Sequence, residues 1–384
     1  MILLRHRSRN RSHYVQPFPK TLICKIFALI IRLSVTFAKD QLRPMKHITI
    51  KDIAKELGIS KSTVSRALSS DSQNVSKETV RKVLDTAERM GYRKNEMAVN
   101  LRHRSTKTIG IVLPEAETSF NMKFTSTVQH ILQQKGYRLL LAISDEDFIN
   151  ERDNVELFDK YRVDGLLVST CHNKANYDFY NSIINRGVPM VFFDRTIPGL
   201  ECSSVRSDEY KSAFFLMEHL IYDGRKRILF LTAPDHISSA ADRLRAYNDT
   251  LNKHNIRYDE RLVVVTGTTE EDGAEAMKKY LESCPPQELP DALFCFTDLQ
   301  AVGAKKVLEK RGISIPETIS IACMSGTRMA ALVSPSITSV ERPLQKMAEE
   351  AVRLLLAKIK DNATPSERIV LPAEMLIRNS TKRK

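Results

Sequence analysis

Apolar residues recur along this chain with two different periods. Between positions 49 and 91 they fall three and four apart, the spacing of one face of a helix. Ile50, Ile53 and Leu57 mark a first short helix, with Thr49 as N-cap, Asp52 three residues on and Gly58 as its stop. Ser60 caps a second helix, in which Val64, Ala67 and Leu68 point one way while Lys61, Ser62, Ser65 and Arg66 fall on the opposite arc. A third helix starts at Ser76, with Val75 and Val80 as a hydrophobic staple. It sets Val83, Leu84 and Ala87 on one face and ends at Gly91. Small Ala54 allows the helices to cross closely.

From Thr108 onward the pattern changes to short apolar runs alternating with longer helical stretches. The runs are Ile109 to Leu113, Arg138 to Ile143, Gly165 to Val168, Met190 to Phe193, Ile228 to Leu231, Leu262 to Val265 and Ala292 to Phe296. Helices predicted between them include Ser126 to Lys135, Tyr210 to Tyr222, Ala240 to His254, Glu270 to Glu282 and Leu299 to Lys310. This alternation predicts βαβ units, and the strands are too many for one sheet. The expected fold is therefore multi-domain, an all-α helix-turn-helix head followed by an α/β body with more than one parallel sheet. A length of 384 residues agrees with several packing units.

Charge divides the chain in the same place. Residues 1–44 carry nine Lys/Arg and one acid, residues 45–107 fourteen and seven, and the remainder 36 and 38, so the first third supplies the whole excess of +13. An excess so placed predicts a polyanionic partner at one end, or else a solvated basic face. The six cysteines, Cys24, Cys171, Cys202, Cys284, Cys295 and Cys323, form no C-x-x-C pair, so neither a disulfide framework nor a zinc site is expected. No G-x-G-x-x-G, P-loop or marked Ser/His/Asp set follows a strand, so the chain is not expected to be an enzyme or to hold a cofactor.

Two short helices joined by a glycine turn, the second displaying Lys, Ser and Arg, suit the DNA major groove. Arginine and lysine donate to guanine O6 and N7, and serine hydroxyls reach bases or phosphates. In the body, ligands of doubly wound sheets sit at the carboxyl ends of strands, here Pro114 to Phe120, Ser144, Asp194-Arg195 and Asp298.

The run Thr49-Ile-Lys-Asp-Ile-Ala-Lys-Glu-Leu-Gly-Ile-Ser-Lys-Ser-Thr-Val-Ser-Arg-Ala-Leu68, with Val75-Ser76, Gly91-Tyr92 and Asn95, resembles the head of the lactose-repressor/galactose-repressor (LacI/GalR) family. The resemblance implies base reading by Lys61, Ser62 and Arg66, and DNA contacts that also involve Thr49, Ser60, Thr63, Ser65, Asn74 and Ser76. It further implies a hinge helix from Asn95 to Arg102, with Ala98 on it and Leu101 as a minor-groove wedge. So short a segment orders only when two copies pair on DNA; otherwise Met97, Ala98 and Leu101 pack on the body. Lys94 departs from the proline common in the family.

The resemblance continues in Val163-Asp-Gly-Leu-Leu-Val168, Gly187-Val-Pro-Met-Val-Phe-Phe-Asp-Arg195, Arg243-Leu-Arg-Ala-Tyr247, Thr297-Asp298 and Ser334-Pro-Ser-Ile-Thr-Ser-Val340. It implies a periplasmic-binding-protein-like α/β body of two doubly wound parallel-sheet subdomains closing over an effector, often a sugar, with Ser119, Phe120, Asp194, Arg243 and Asp298 lining the cleft. Each has a purely structural alternative, with Asp298 as a helix cap, Asp194 in a surface pair with Arg195, and Phe120 as packing. Gly224-Arg225-Lys226 and Cys323-Met324-Ser325-Gly326 depart from the family's Gly-His-Arg and Gly-Phe-Asp-Asp.

The organisation expected is an N-terminal extension (1–44), a helix-turn-helix domain (45–93), a hinge and linker (94–105) and an effector-binding and dimerisation body (106–384). Expected partners are a roughly palindromic double-stranded operator, a small-molecule effector and a second copy of the chain, in the cytoplasm and without a membrane. A solute-binding protein and a sugar-kinase or hydrolase-like enzyme are the rivals. Lys25 and Arg32 interrupt the apolar stretch Leu22 to Ala38, leaving an over-extended gene start or dispensable tail, a signal or transit peptide, and a membrane tether as its readings.

Overall fold

The computed structural model describes residues 48–68, 75–92, 105–116 and 119–382. The chain divides into two compact units, Met1–Glu96 and Met97–Lys384. The first contains α1 (Ile50–Leu57), α2 (Lys61–Ala67) and α3 (Lys77–Arg89) around a core of Ile53, Ala54, Val64, Ala67, Val83 and Ala87. Gly58 turns the chain at φ +64 between α1 and α2, a left-handed conformation that glycine adopts without Cβ strain. Val75 and Val80 pack against this core as the staple requires. Leu84, expected beside Val83 and Ala87, is instead half exposed, because one step of about 100° carries it off the buried stripe.

The second unit has two lobes. In chain order, β1 (Thr108–Leu113), α4 (Ser119–Gln134), β2 (Arg138–Ile143), α5 (Phe148–Lys160), β3 (Gly165–Val168), α6 (Tyr177–Asn185), β4 (Met190–Phe193) and β5 (Ser203–Ser207) build the first lobe. The chain crosses over to form the second from α7 (Glu209–Tyr222), β6 (Ile228–Thr232), α8 (Ser238–Lys253), β7 (Val263–Val265), α9 (Glu270–Ser283), β8 (Ala292–Cys295), α10 (Asp298–Lys310), β9 (Ser320–Cys323), α11 (Arg328–Leu332) and β10 (Thr338–Glu341). It returns with α12 (Leu344–Lys360) and β11 (Arg368–Leu371), then crosses again to β12 (Glu374–Leu376). The sheet orders are β11-β5-β4-β3-β1-β2 and β12-β10-β9-β8-β6-β7. All pairings are parallel except β10 with β12.

Parallel strands covered on both faces bury successive residues to opposite sides. Ile109, Ile111 and Leu113 of β1 meet α4 and α12, while Val112 joins the cluster of α5 and α6. In the second lobe, Leu229 and Leu231 face the side of α9 and α10, and Ile228 and Phe230 face α7 and α8. Helices α9 and α10 meet almost backbone to backbone. A Cβ on Gly303 would lie 1.9 Å from the Glu270 carbonyl oxygen, and one on Gly273 2.3 Å from that of Gln300. Gly303→Ala is expected to lower stability by about 1–3 kcal/mol through overpacking, read from urea denaturation; an unchanged midpoint would contradict this contact.

The helix expected from Ser126 begins at Ser119, about two turns earlier, because the polar residues of its first turns enclose apolar Phe120 and Phe124, both buried. Among the described residues no helix is long and apolar enough to cross a membrane. Positions 22–38 lie outside them.

Candidate DNA-binding head and effector cleft

In the head, local capping chemistry sets the display of the second helix. The Asp52 carboxylate accepts from the Thr49 N–H at 2.8 Å and from its hydroxyl at 2.7 Å, closing the first turn of α1. Ser60 Oγ accepts the Thr63 N–H at 3.1 Å and shares hydrogen bonds with the hydroxyls of Ser62 and Thr63 at 2.7 and 2.8 Å. Ser76 does the same for α3, accepting from the Thr79 N–H at 3.2 Å. Thr49, Ser60 and Ser76 therefore hold helix ends as well as standing on the surface.

With Val64 and Ala67 buried, Lys61, Ser62 and Arg66 lie exposed on one side of α2, and Thr63 and Ser65 are half-buried. The third helix braces this arrangement through an Arg89–Glu56 ion pair of 3.0 Å across to α1. Asn74, Asn95, Ala98 and Leu101 lie outside the described residues, as does the side chain of Ser119.

In the body, the other four expected cleft residues converge between the lobes, each with a partner that sequence spacing does not reveal. Asp194 follows β4 at φ +56, an unusual conformation for a non-glycine residue, and pairs with Arg342 at the crossover after β10. The Arg342 guanidinium lies over the Phe120 ring, 3.9 Å from its centroid. On the other lobe, Arg243 of α8 donates through Nε and Nη2 to Glu209 Oε2 at 2.8 and 2.7 Å. Its Nη1 donates to the Phe296 carbonyl at 2.7 Å, and its guanidinium stacks on the Phe296 ring at 3.8 Å. Asp298, the first residue of α10, accepts from the Leu299 N–H at 3.0 Å and from the Thr327 hydroxyl.

Thr297, rather than Asp298, is the N-cap of α10. Arg195 pairs with Glu146 at 2.8 Å, leaving Asp194 to Arg342. Glu209, Phe296, Thr327 and Arg342 are cleft residues that sequence reasoning missed. Arg342 and Glu209 follow strands β10 and β5, whose serine- and threonine-containing runs hide strand character; recognising them would have applied the carboxyl-end rule to both.

The charges in this cluster modify one another. Burial alone would raise the Glu209 carboxyl, but the guanidiniums of Arg243 and Arg342 and the Ser207 hydroxyl outweigh it and hold the group below the usual carboxylate range. Burial raises the Asp298 carboxyl, against the opposing hydrogen bonds from Thr327 and the Leu299 N–H. Two guanidiniums on aromatic faces, three carboxyl groups and a hydroxyl thus form a preorganised polar lining between the lobes. A cavity of about 850 Å³ adjoins it, walled by Phe120, Lys123, Ser325, Thr327, Arg342 and Lys346 among others.

Residues 49–95 match the family model described as bacterial regulatory proteins, lacI family, and residues 217–381 match a periplasmic binding protein-like domain. Catabolite control protein A of Priestia megaterium is 28% identical over 337 residues, covering 88% of this chain and all of that protein. The ribose operon repressor of Bacillus subtilis (strain 168) is 29% identical over 335 residues, 87% and 99% of the two chains. Among solved structures, the transcriptional regulator CelR with cellobiose aligns with a TM-score of 0.66 and 27% identity over 87% of this chain and all of that one. A lac repressor dimer bound to operator and the anti-inducer ONPF shares the fold, with a TM-score of 0.78 and 20% identity over 88% and 100% of the chains. The head is thus matched by the model of the lacI family of bacterial regulatory proteins and the C-terminal part of the body by a periplasmic binding protein-like domain, and the relatives that align along nearly the whole chain are named as regulators and repressors.

Proposed function

We propose that this protein is a sequence-specific transcriptional repressor whose affinity for a roughly palindromic operator is set by a small-molecule effector, a sugar or sugar derivative. The observation that carries this reading is the exposed Lys61, Ser62 and Arg66 face of α2, held by buried Val64 and Ala67. The proposed reading helix is supplemented by Thr49, Ser60, Thr63, Ser65, Asn74 and Ser76, and by a hinge segment through Asn95, Ala98 and Leu101. The effector is proposed to bind among Ser119, Phe120, Asp194, Arg243 and Asp298. Hydroxyl groups suit such a site, since each can donate to a carboxylate and accept from a guanidinium. The body serves binding rather than catalysis.

The active form is proposed to be a homodimer, because one small head makes too few contacts for useful specificity. Each lobe supports this by ending on an apolar edge strand. Leu140 and Leu141 of β2 are 41% and 42% exposed, and Val265 of β7 is 64% exposed. Unpaired apolar edges are sites of association. The double substitution Leu141→Lys with Val265→Lys is expected to shift the protein from dimer to monomer in sedimentation velocity and to weaken operator binding with it. A variant that sediments like the parent would place the interface elsewhere. The effector reading is tested by titrating sugars against the operator complex. A ligand that changes operator affinity should lose that effect in Asp298→Asn, and a retained response would remove Asp298 from the site.

A further inference from the structure

The cleft between the lobes is bridged by loops of the chain as well as by the crossovers. The loop after β3 reaches the loop after β6. The Asn173 N–H donates to the His236 carbonyl at 2.9 Å, and the Asn173 side-chain amide donates to the Asp235 carbonyl at 2.8 Å. The rings of His172 and His236 stack with centroids 5.3 Å apart and planes 21° from parallel. A third loop, after β4, joins them where the Thr196 N–H donates to Ser238 Oγ at 3.2 Å. Nearby, Arg206 of β5 pairs with Asp242 of α8 at 2.8 Å.

The loop carrying Asn173 is rigid by construction. Glu151 is fully buried, and its carboxylate accepts from the Cys171 N–H at 2.6 Å, the Tyr180 hydroxyl at 2.9 Å, the Thr170 hydroxyl at 3.0 Å and the Asn176 amide at 3.1 Å. Four donors on one buried carboxylate fix the loop before anything binds. His172 Nδ1 accepts from the Lys174 and Ala175 N–H groups at 3.1 and 3.2 Å, which sets the ring that meets His236. A preformed loop that spends its outward donors on the opposite lobe does the work otherwise left to a ligand, namely holding the lobes together.

We infer that segment 169–176 is a latch that keeps the effector cleft closed in the absence of effector, with Asn173 as its key residue. Opening the latch sets the fraction of molecules that can admit a ligand, and the apparent effector affinity falls by that fraction. The inference gives the proposed effector cleft its regulation, but its test needs neither effector nor DNA. Its failure would leave the repressor reading intact.

The test is residue-resolved hydrogen exchange on the ligand-free full-length protein and on Asn173→Asp, which keeps the shape of the side chain and removes its donor. Two interlobe amides, Asn173 and Thr196, lie on different loops. If the latch is one unit, both should exchange about tenfold faster in the variant while strands β3 and β6 keep their protection. Asn173→Ala should give the same pattern, which guards against a folding defect particular to the aspartate. Thr196 exchange unchanged in both variants, or both amides already unprotected in the parent, would overturn the latch.

Discussion

Replacing Arg243 with alanine is expected to destabilise the body by about 3–5 kcal/mol, the cost of breaking a buried ion pair by removing one partner. The side chains of Arg243 and Glu209 are 4% and 7% exposed and meet through two hydrogen bonds of 2.7 and 2.8 Å. Removing the guanidinium strands a buried carboxylate and also leaves the Phe296 carbonyl without its donor. The pH dependence identifies the cause. The Glu209 carboxyl sits below its ordinary range in the folded protein, so its contribution is present above its unfolded value, about 4.3, and is lost as pH falls through the lower folded one. In Arg243→Ala the largest lowering influence is gone and burial is opposed only by Arg342 and the Ser207 hydroxyl, so the group rises relative to the parent, and the deficit against the parent should be largest near neutrality and narrow in acid. Urea denaturation at a series of pH values measures both. A deficit independent of pH would mean that Arg243 acts by packing on Phe296 alone. Loss of effector response in this variant has meaning only where the protein remains folded, for example with Glu209→Gln added to remove the stranded charge.

The second large effect belongs to the head. Lys61→Ala with Arg66→Ala is expected to weaken binding to a specific operator by about 100-fold or more, since each base-reading contact discriminates by about 1–3 kcal/mol. Both side chains are exposed on α2, and the head's core of Ile53, Val64, Ala67 and Val83 does not depend on them. Circular dichroism should therefore stay unchanged while fluorescence anisotropy on operator DNA shows the loss. Binding to unrelated DNA should fall far less, with a shallower salt dependence. Equal losses on operator and unrelated DNA would mean that the two residues hold phosphates and the bases are read elsewhere.

The head was readable from the sequence because its determinants are local. A capping carboxylate, a turn glycine and an apolar face recur within a few residues, and α1, α2 and α3 follow from them. Only Leu84 was misplaced, being one helical step beyond the stripe. Seven strands of the body were readable as apolar runs. Strand β5, Ser-Ser-Val-Arg-Ser, was not, because the hydroxyls of buried Ser203 and Ser207 look like loop chemistry, and Thr338 and Ser339 disguise β10 in the same way. Those two strands lead into Glu209 and Arg342, so these two missed cleft residues and the two missed strands have one cause. The pairing of Asp194 with Arg342 closes 148 residues of chain, and that of Arg243 with Glu209 closes 34. No spacing rule reaches across such separations; the packing of α7 against α8 within the second lobe makes the Arg243–Glu209 pair, and the meeting of the first lobe with the crossover after β10 makes the Asp194–Arg342 pair.

The most direct test of the central claim is selection of DNA by the purified full-length protein from a random or genomic library in moderate salt, followed by sequencing. The account predicts enrichment of one roughly palindromic sequence, lost in Lys61→Ala with Arg66→Ala. Retention of DNA without enrichment of any sequence, in parent and variant alike, would contradict it, leaving a basic head that binds phosphate backbone and a body whose ligand has no operator to control.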